Sequence, residues 1–147
     1  MKPIASLILT VFVATLAQAQ KAPMREPDYN KPRQFLTLPL VVPVVLQQLD
    51  SLLAKPEGSP VTVQLKDLRL DGRVVSRSDA YDAALQGVVI RLNNSSNTFS
   101  LSRRQGKDGT HWTGRILSYD YVDALELVSD GGTLRFEKRG LYDLLSE

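Results

Sequence analysis

Cysteine is absent from all 147 residues, and histidine and tryptophan occur once each, as His111 and Trp112. Without a thiol the chain has no disulfide, no thiolate zinc site, no Cys-linked haem, no cysteine nucleophile and no lipidated cysteine anchor. One histidine and no cysteine cannot build the usual zinc ligand set either. Catalysis of the Ser–His–Asp kind is confined to the surroundings of His111, and no Gly-x-Ser-x-Gly elbow exists in the chain. A phosphate loop is missing too, because Gly131-Gly132 stands between two strand-like runs and not at the entry to a helix.

Charge of one sign is equally scarce. Eighteen Lys and Arg face sixteen Asp and Glu, and one of the cations, Lys2, belongs to a segment that is expected to be removed. What remains is 17 against 16, a mixed surface and not a polycation. A broad nucleic-acid or anionic-membrane platform needs a larger, clustered excess, so neither partner is expected. No interleaving of basic and aromatic residues of the single-strand-binding kind is present.

What the chain does have begins with an address. Lys2 supplies a positive start, Ile4 to Ala17 is predominantly apolar, and Ala17-Gln18-Ala19 is a small-x-small cleavage site. Fourteen helical residues reach only about 21 Å, short of a hydrocarbon core of about 30 Å, so no span remains after cleavage. The expectation is a short, bacterial-type secretory leader over residues 1–19 and a secreted or periplasmic mature chain of 128 residues, enough for one domain. Asn93-Asn94-Ser95-Ser96 contains glycosylation sequons; in a bacterial protein they read as turn residues.

Residues 20–33 carry Pro23, Pro27 and Pro32 and read as a polar, extended tether before a β-rich domain over 34–147. Phe35 to Val42 is strand-like, but Pro39 demotes it to an edge or an irregular segment. Val44, Val45, Leu49, Leu52 and Leu53 recur at helical spacing, with Pro43 acceptable in the first turn, which predicts one N-terminal amphipathic helix. From Val61 the period is two. Val61, Val63 and Leu65 alternate, and Leu68 and Leu70 continue on the opposite parity, implying a bulge or break near Lys66-Asp67.

Asp71-Gly72 is a hairpin signal that predicts a return strand over 73–77. Ser78 to Gln86, with Tyr81 and Leu85 four apart, reads as a short helix or loop ended by Gly87. Alternating runs around Ile90, Phe99, Trp112, Leu125 and Phe136, separated by Asn-, Asp- and Gly-containing turns, complete a meander of about seven strands. Leu141, Leu144 and Leu145 predict a closing helical turn. The fold class is therefore mainly β, an antiparallel sandwich or barrel-like meander.

Candidate chemistry is thin. His111 reads as an edge-strand histidine beside Trp112. Asp67 and Asp71-Gly72 lack the alternate carboxylates and distal Glu of a calcium loop, so no metal or cofactor is expected. Tyr119, Asp120, Tyr121 and Asp123 mix aromatic and acidic groups as sugar-binding patches do, although Asp in a turn also satisfies free backbone amides. Arg91, Arg103 and Arg115 would form an anion-binding stripe if they shared one face of neighbouring strands. The contact candidates are these nine residues. The leading expectation is a non-catalytic interaction module whose partner is another extracytoplasmic protein or a glycan. The alternatives are a ligand-binding barrel lined by Trp112, Phe99, Phe136, Ile90 and Leu127, and a glycan hydrolase using Asp120 and Asp123.

Overall fold

The structure is a computed structural model that describes residues 27–78, 82 and 84–146. The leader and cleavage site expected over residues 1–19, residues 20–26 of the expected tether, and Tyr81 lie outside the described residues. Period-two alternation becomes a single antiparallel sheet of eight strands: β1 (Val41–Val44), β2 (Pro60–Leu65), β3 (Leu68–Arg77), β4 (Leu85–Leu92), β5 (Thr98–Gly106), β6 (Gly109–Leu117), β7 (Asp123–Asp130) and β8 (Thr133–Gly140). Strands β2 to β8 pair in chain order and β1 closes on β8, so the sheet is one half-barrel and not a two-sheet sandwich. Its free edges, β1 and β2, come within 8 Å of each other.

Four expectations are corrected. The sheet has eight strands because Val41–Val44 is a strand, although Pro43 lies in it. Lys138 N–H donates to the Leu40 carbonyl, so Val42 and Val44 also face β8 and Pro43 turns its missing donor outward. The helix, α1 (Leu46–Leu53), consequently starts later than the leucine spacing implies, and it lies between two strands and not ahead of the sheet. Asp71-Gly72 is no turn. The chain reverses at Lys66-Asp67, where Lys66 takes φ 42°, and β3 runs straight through Gly72, paired with Val61 and Leu92. Gly72 is required for close approach instead. A Cβ there would run into the Arg91 carbonyl oxygen and lie 2.9 Å from Ile90 Cγ2. Finally, Leu85, Gln86 and Gly87 belong to β4 and not to a helix.

The Gly131-Gly132 reversal does match its signal. Both residues have positive φ, 55° and 84°, as a type I′ hairpin requires, and Asp130 pairs with Thr133 across it.

The concave face holds the core. Phe99 and Phe136 meet edge-to-face at 5.7 Å, with Ile90, Leu101, Ile116 and Leu125 around them, all buried. Helix α1 lies over β4 and β5 and adds Leu49, Leu52 and Leu53. Eight residues are too few to hold a helix alone. Here its carbonyl end is bound by the Arg77 guanidinium at Leu53, a cation where the helix dipole favours one, and Asp50 is paired with Arg103 of β5. The second helix, α2 (Leu141–Leu145), buries Leu141 and Leu144, and both stand apart from this main cluster.

The described end of the tether is no free linker. Asp123, 8% exposed at the start of β7, accepts the backbone amides of Gln34 (2.8 Å) and Phe35 (3.0 Å). The Val122 amide donates to the Pro32 carbonyl, and the Phe35 ring is buried in the core. Residues 27–40 are thus a strap fastened to the barrel.

Three outcomes follow from this packing. Gly72→Ala overpacks the β3–β4 contact and should cost about 1–3 kcal/mol in urea unfolding; an unchanged midpoint would show that β4 yields there. Asp123→Asn removes a charged acceptor shared by two amides. It should cost about 1.5–3 kcal/mol and speed hydrogen exchange at Gln34 and Phe35 while leaving the β4–β5 amides protected. On β3, a hydrogen bond from Arg69 and a second from Thr62 hold the Asp71 carboxyl below the usual carboxylate range. Its contribution to stability is therefore full above the unfolded value of about 3.9 and fades as pH falls through the lower folded value. A carboxyl-carbon NMR titration should show that depression, and Arg69→Gln should raise the midpoint.

Candidate functional site

A cleft opens outside the barrel, between the strap and the corner where β8 runs into α2. Its volume is about 670 Å³. Its apolar wall is Tyr29, Leu36 and Leu40, 72%, 70% and 78% exposed. Side chains of that size are left in water because, among the described residues, no second layer covers the strap. Tyr142 of α2 fixes one end of the strap: its hydroxyl accepts the Asp28 amide at 2.9 Å, and its ring meets Tyr29 edge-to-face at 5.2 Å.

Four cations line the cleft: Lys31, Arg33, Lys138 and Arg139. The Lys31 ammonium donates to the Tyr119 carbonyl at 2.6 Å, and the Lys138 ammonium donates to the Leu38 carbonyl. Asp123 and Asp143 are the carboxylates present, and Asp123 has both oxygens committed to strap amides. A smaller groove of about 170 Å³ runs over the outer sheet face past Ser76, Ser78, Ser100, Ser102 and Thr113.

The nine sequence candidates fall into separate places. Tyr119 and Asp120 are exposed in the β6–β7 loop and Tyr121 is half-buried; the Asp120 amide is held by the Ser118 hydroxyl at 3.1 Å. This loop borders the cleft through Val122, Asp123 and the Lys31 contact. Asp120 and Asp123 do not converge, since Asp123 turns inward to the strap.

The arginine stripe does not form. Arg91 is exposed on the outer face, directly across from Arg73. Arg115 is also on the outer face, 3.5 Å from Glu126. Arg103 shares the parity of Phe99 and Leu101 and so belongs to the concave side. There it pairs with Asp50, contacts Gln86 and lies 5.5 Å over the Trp112 ring. The Arg103–Trp112 pair is accounted for as an anchor for α1.

His111 is exposed at the start of β6 and pairs with Arg104. Ser118 follows the far end of the same strand; seven residues at about 3.3 Å each separate the two by about 23 Å, which rules out a shared triad. Among the described residues no three His, Cys, Asp or Glu side chains gather where they could hold a metal ion. The residues proposed to line a barrel pocket, Phe99, Phe136, Ile90 and Leu127, are buried core, and Trp112 packs against its margin.

Beyond the cleft, the outer face of β6–β8 is an ionic ladder. Glu126 and Glu137 stand directly opposite on β7 and β8, a repulsive arrangement by itself. Arg139 bridges both at 3.1 and 3.0 Å, and Arg135 adds a contact to Glu137 at 2.8 Å. These charges are used up within the sheet.

Sequence reasoning missed the cleft because its parts lie about a hundred residues apart, on the strap and on β8–α2. The available signal was local: Tyr29, Leu36 and Leu40 are large apolar residues in a stretch otherwise rich in proline and polar groups. Among the described residues no helix is long and apolar enough to cross a membrane. Compared with protein-family models, with curated proteins and with solved structures, the chain matches none.

Proposed function

We propose that this chain is an extracytoplasmic, non-catalytic interaction module that engages another protein at the strap cleft. The observation that carries the reading is where the apolar surface lies. The concave interior, the place for a small ligand in a barrel, is filled by the Phe99–Phe136 pair and α1. Leu36 and Leu40 stand exposed on the outside, in a cleft rimmed by cations. An exposed apolar patch with a polar rim is a usual mark of a contact surface.

Edge-strand augmentation is the less favoured mode. Both free edges carry proline, Pro43 and Pro60, and the outward Gln64 carbonyl already accepts from the Gln48 side chain of α1. The leader over residues 1–19 supports the compartment.

The test is in-cell photocrosslinking in the secreting host, with a photoreactive residue at Leu40 or, as control, at Asn94 in the β4–β5 turn. A discrete protein adduct from Leu40, suppressed by excess unlabelled mature chain and absent from Asn94, is the expected result. No competable adduct from Leu40 would reject the module reading.

A further inference from the structure

We infer that the occupant of the cleft is a short, extended segment of a partner polypeptide that carries several carboxylates alternating with apolar side chains. This rests on the interaction-module reading and gives its partner a chemistry. Three of the cleft cations, Lys31, Arg33 and Lys138, make no ion pair with any carboxylate among the described residues. Lys31 and Lys138 spend their hydrogen bonds on neutral carbonyls, and Arg33 has no polar partner among the described residues.

The contrast with the adjoining sheet face is sharp, because there Arg115, Arg135 and Arg139 all sit against glutamates. Cations gathered in excess over carboxylates repel one another and are relieved by a bound anion. Two carboxylates, Asp123 and Asp143, line the cleft against four cations, so the lining keeps an excess of positive charge.

The placement of the cations argues for a chain and not for a single headgroup. The cations are tied at separate points: Lys31 of the strap donates to the Tyr119 carbonyl of the β6–β7 loop, Lys138 of β8 donates to the Leu38 carbonyl seven residues further along the strap, and Arg33 lies on the strap between residues 31 and 38. A lone carboxylate or phosphate meets one such point. An extended segment, with successive side chains on opposite sides, presents acids to the rim and apolar groups to Leu36, Leu40 and Tyr29. About 670 Å³ falls within the usual range for bound ligands, about 300–1,000 Å³, and suits a few residues.

The experiment uses the full mature chain and two fluorescent hexapeptide pools read by anisotropy. One pool mixes Asp and Glu with Leu and Phe; the other has Asn and Gln in place of the acids and the same apolar content. The acidic pool should bind saturably, the amide pool at least tenfold more weakly, and raising salt from 50 to 500 mM should weaken the acidic pool further. Arg33→Gln, chosen because its exposed side chain makes no hydrogen bond or ion pair among the described residues, should lose threefold or more with an unchanged melting curve, and a K31Q/R33Q/K138Q chain should lose at least tenfold.

Equal binding of the two pools, no acidic binding up to 1 mM, or an unaffected triple variant would overturn the inference. So would dodecyl phosphate binding that displaces the acidic pool at lower concentration, which would assign the cleft to a single-headed amphiphile. Self-association of the mature chain that blocks the pool would assign it to a second copy. If the pools fail while the Leu40 crosslink still captures a competable protein, only the acidic-segment inference falls; if both are silent, the module reading falls with it.

Discussion

An eight-stranded sheet curled into a half-barrel has one concave face to fill and two edges to protect, and α1 meets both demands. Its three buried leucines reach the Phe99–Phe136 pair's side of the sheet, each worth about 1.5–3 kcal/mol of burial. The same helix joins β1 to β2 and sets Gln48 against the Gln64 carbonyl on the β2 edge. Arg77 and Arg103, from strands on the far side of the sequence, fix its end and its middle. A helix too short to exist alone is therefore stabilised from three strands at once, and the interior is solid.

That outer surface is organised by one carboxylate. Asp123 sits where the β6–β7 loop enters the sheet, and its two oxygens hold consecutive amides of the strap. The strap then delivers Phe35 to the core and leaves Leu36 outside, because the chain turns directly after Phe35, with the Leu38 amide donating to the Phe35 carbonyl at 3.2 Å. The exposed apolar wall of the cleft is thus a consequence of how the strap is fastened. The ionic ladder beside it pairs the β7–β8 glutamates with Arg115, Arg135 and Arg139, whereas Lys31, Arg33 and Lys138 at the cleft have no carboxylate partner among the described residues.

Much of the fold was legible in the residues, and the misses have identifiable causes. Alternation marked the runs around Val61, Ile90, Phe99, Ile116, Leu125 and Phe136 because one face of each is core. Asp71-Gly72 misled because a dipeptide that favours a turn was needed for something else, the approach of the Arg91 carbonyl. The parity change at Lys66-Asp67 was visible, but parity alone does not separate a bulge from a two-residue reversal. Pro43 was compatible with a first helical turn or with an outward edge position, and only pairing with β8 chose between them. Arg91, Arg103 and Arg115 are all odd-numbered, yet β4 and β5 place odd positions on opposite faces: Arg91 points away from Ile90, whereas Arg103 sides with Phe99.

By itself the sequence determined the exclusions and the local order: no thiol chemistry, one histidine, no polycationic surface, period two from Val61 onward, and a glycine pair that could only reverse the chain. These depend on composition and on neighbours a few residues apart, which a linear reading contains. Only the tertiary structure decided that the meander is a half-barrel filled by α1, that Asp123 fastens a strap, and that Lys31, Arg33 and Lys138 share a cleft with Leu36 and Leu40. Those outcomes join residues about a hundred positions apart through strand register and loop closure, and alternation reports which face a residue takes without reporting what lies opposite it.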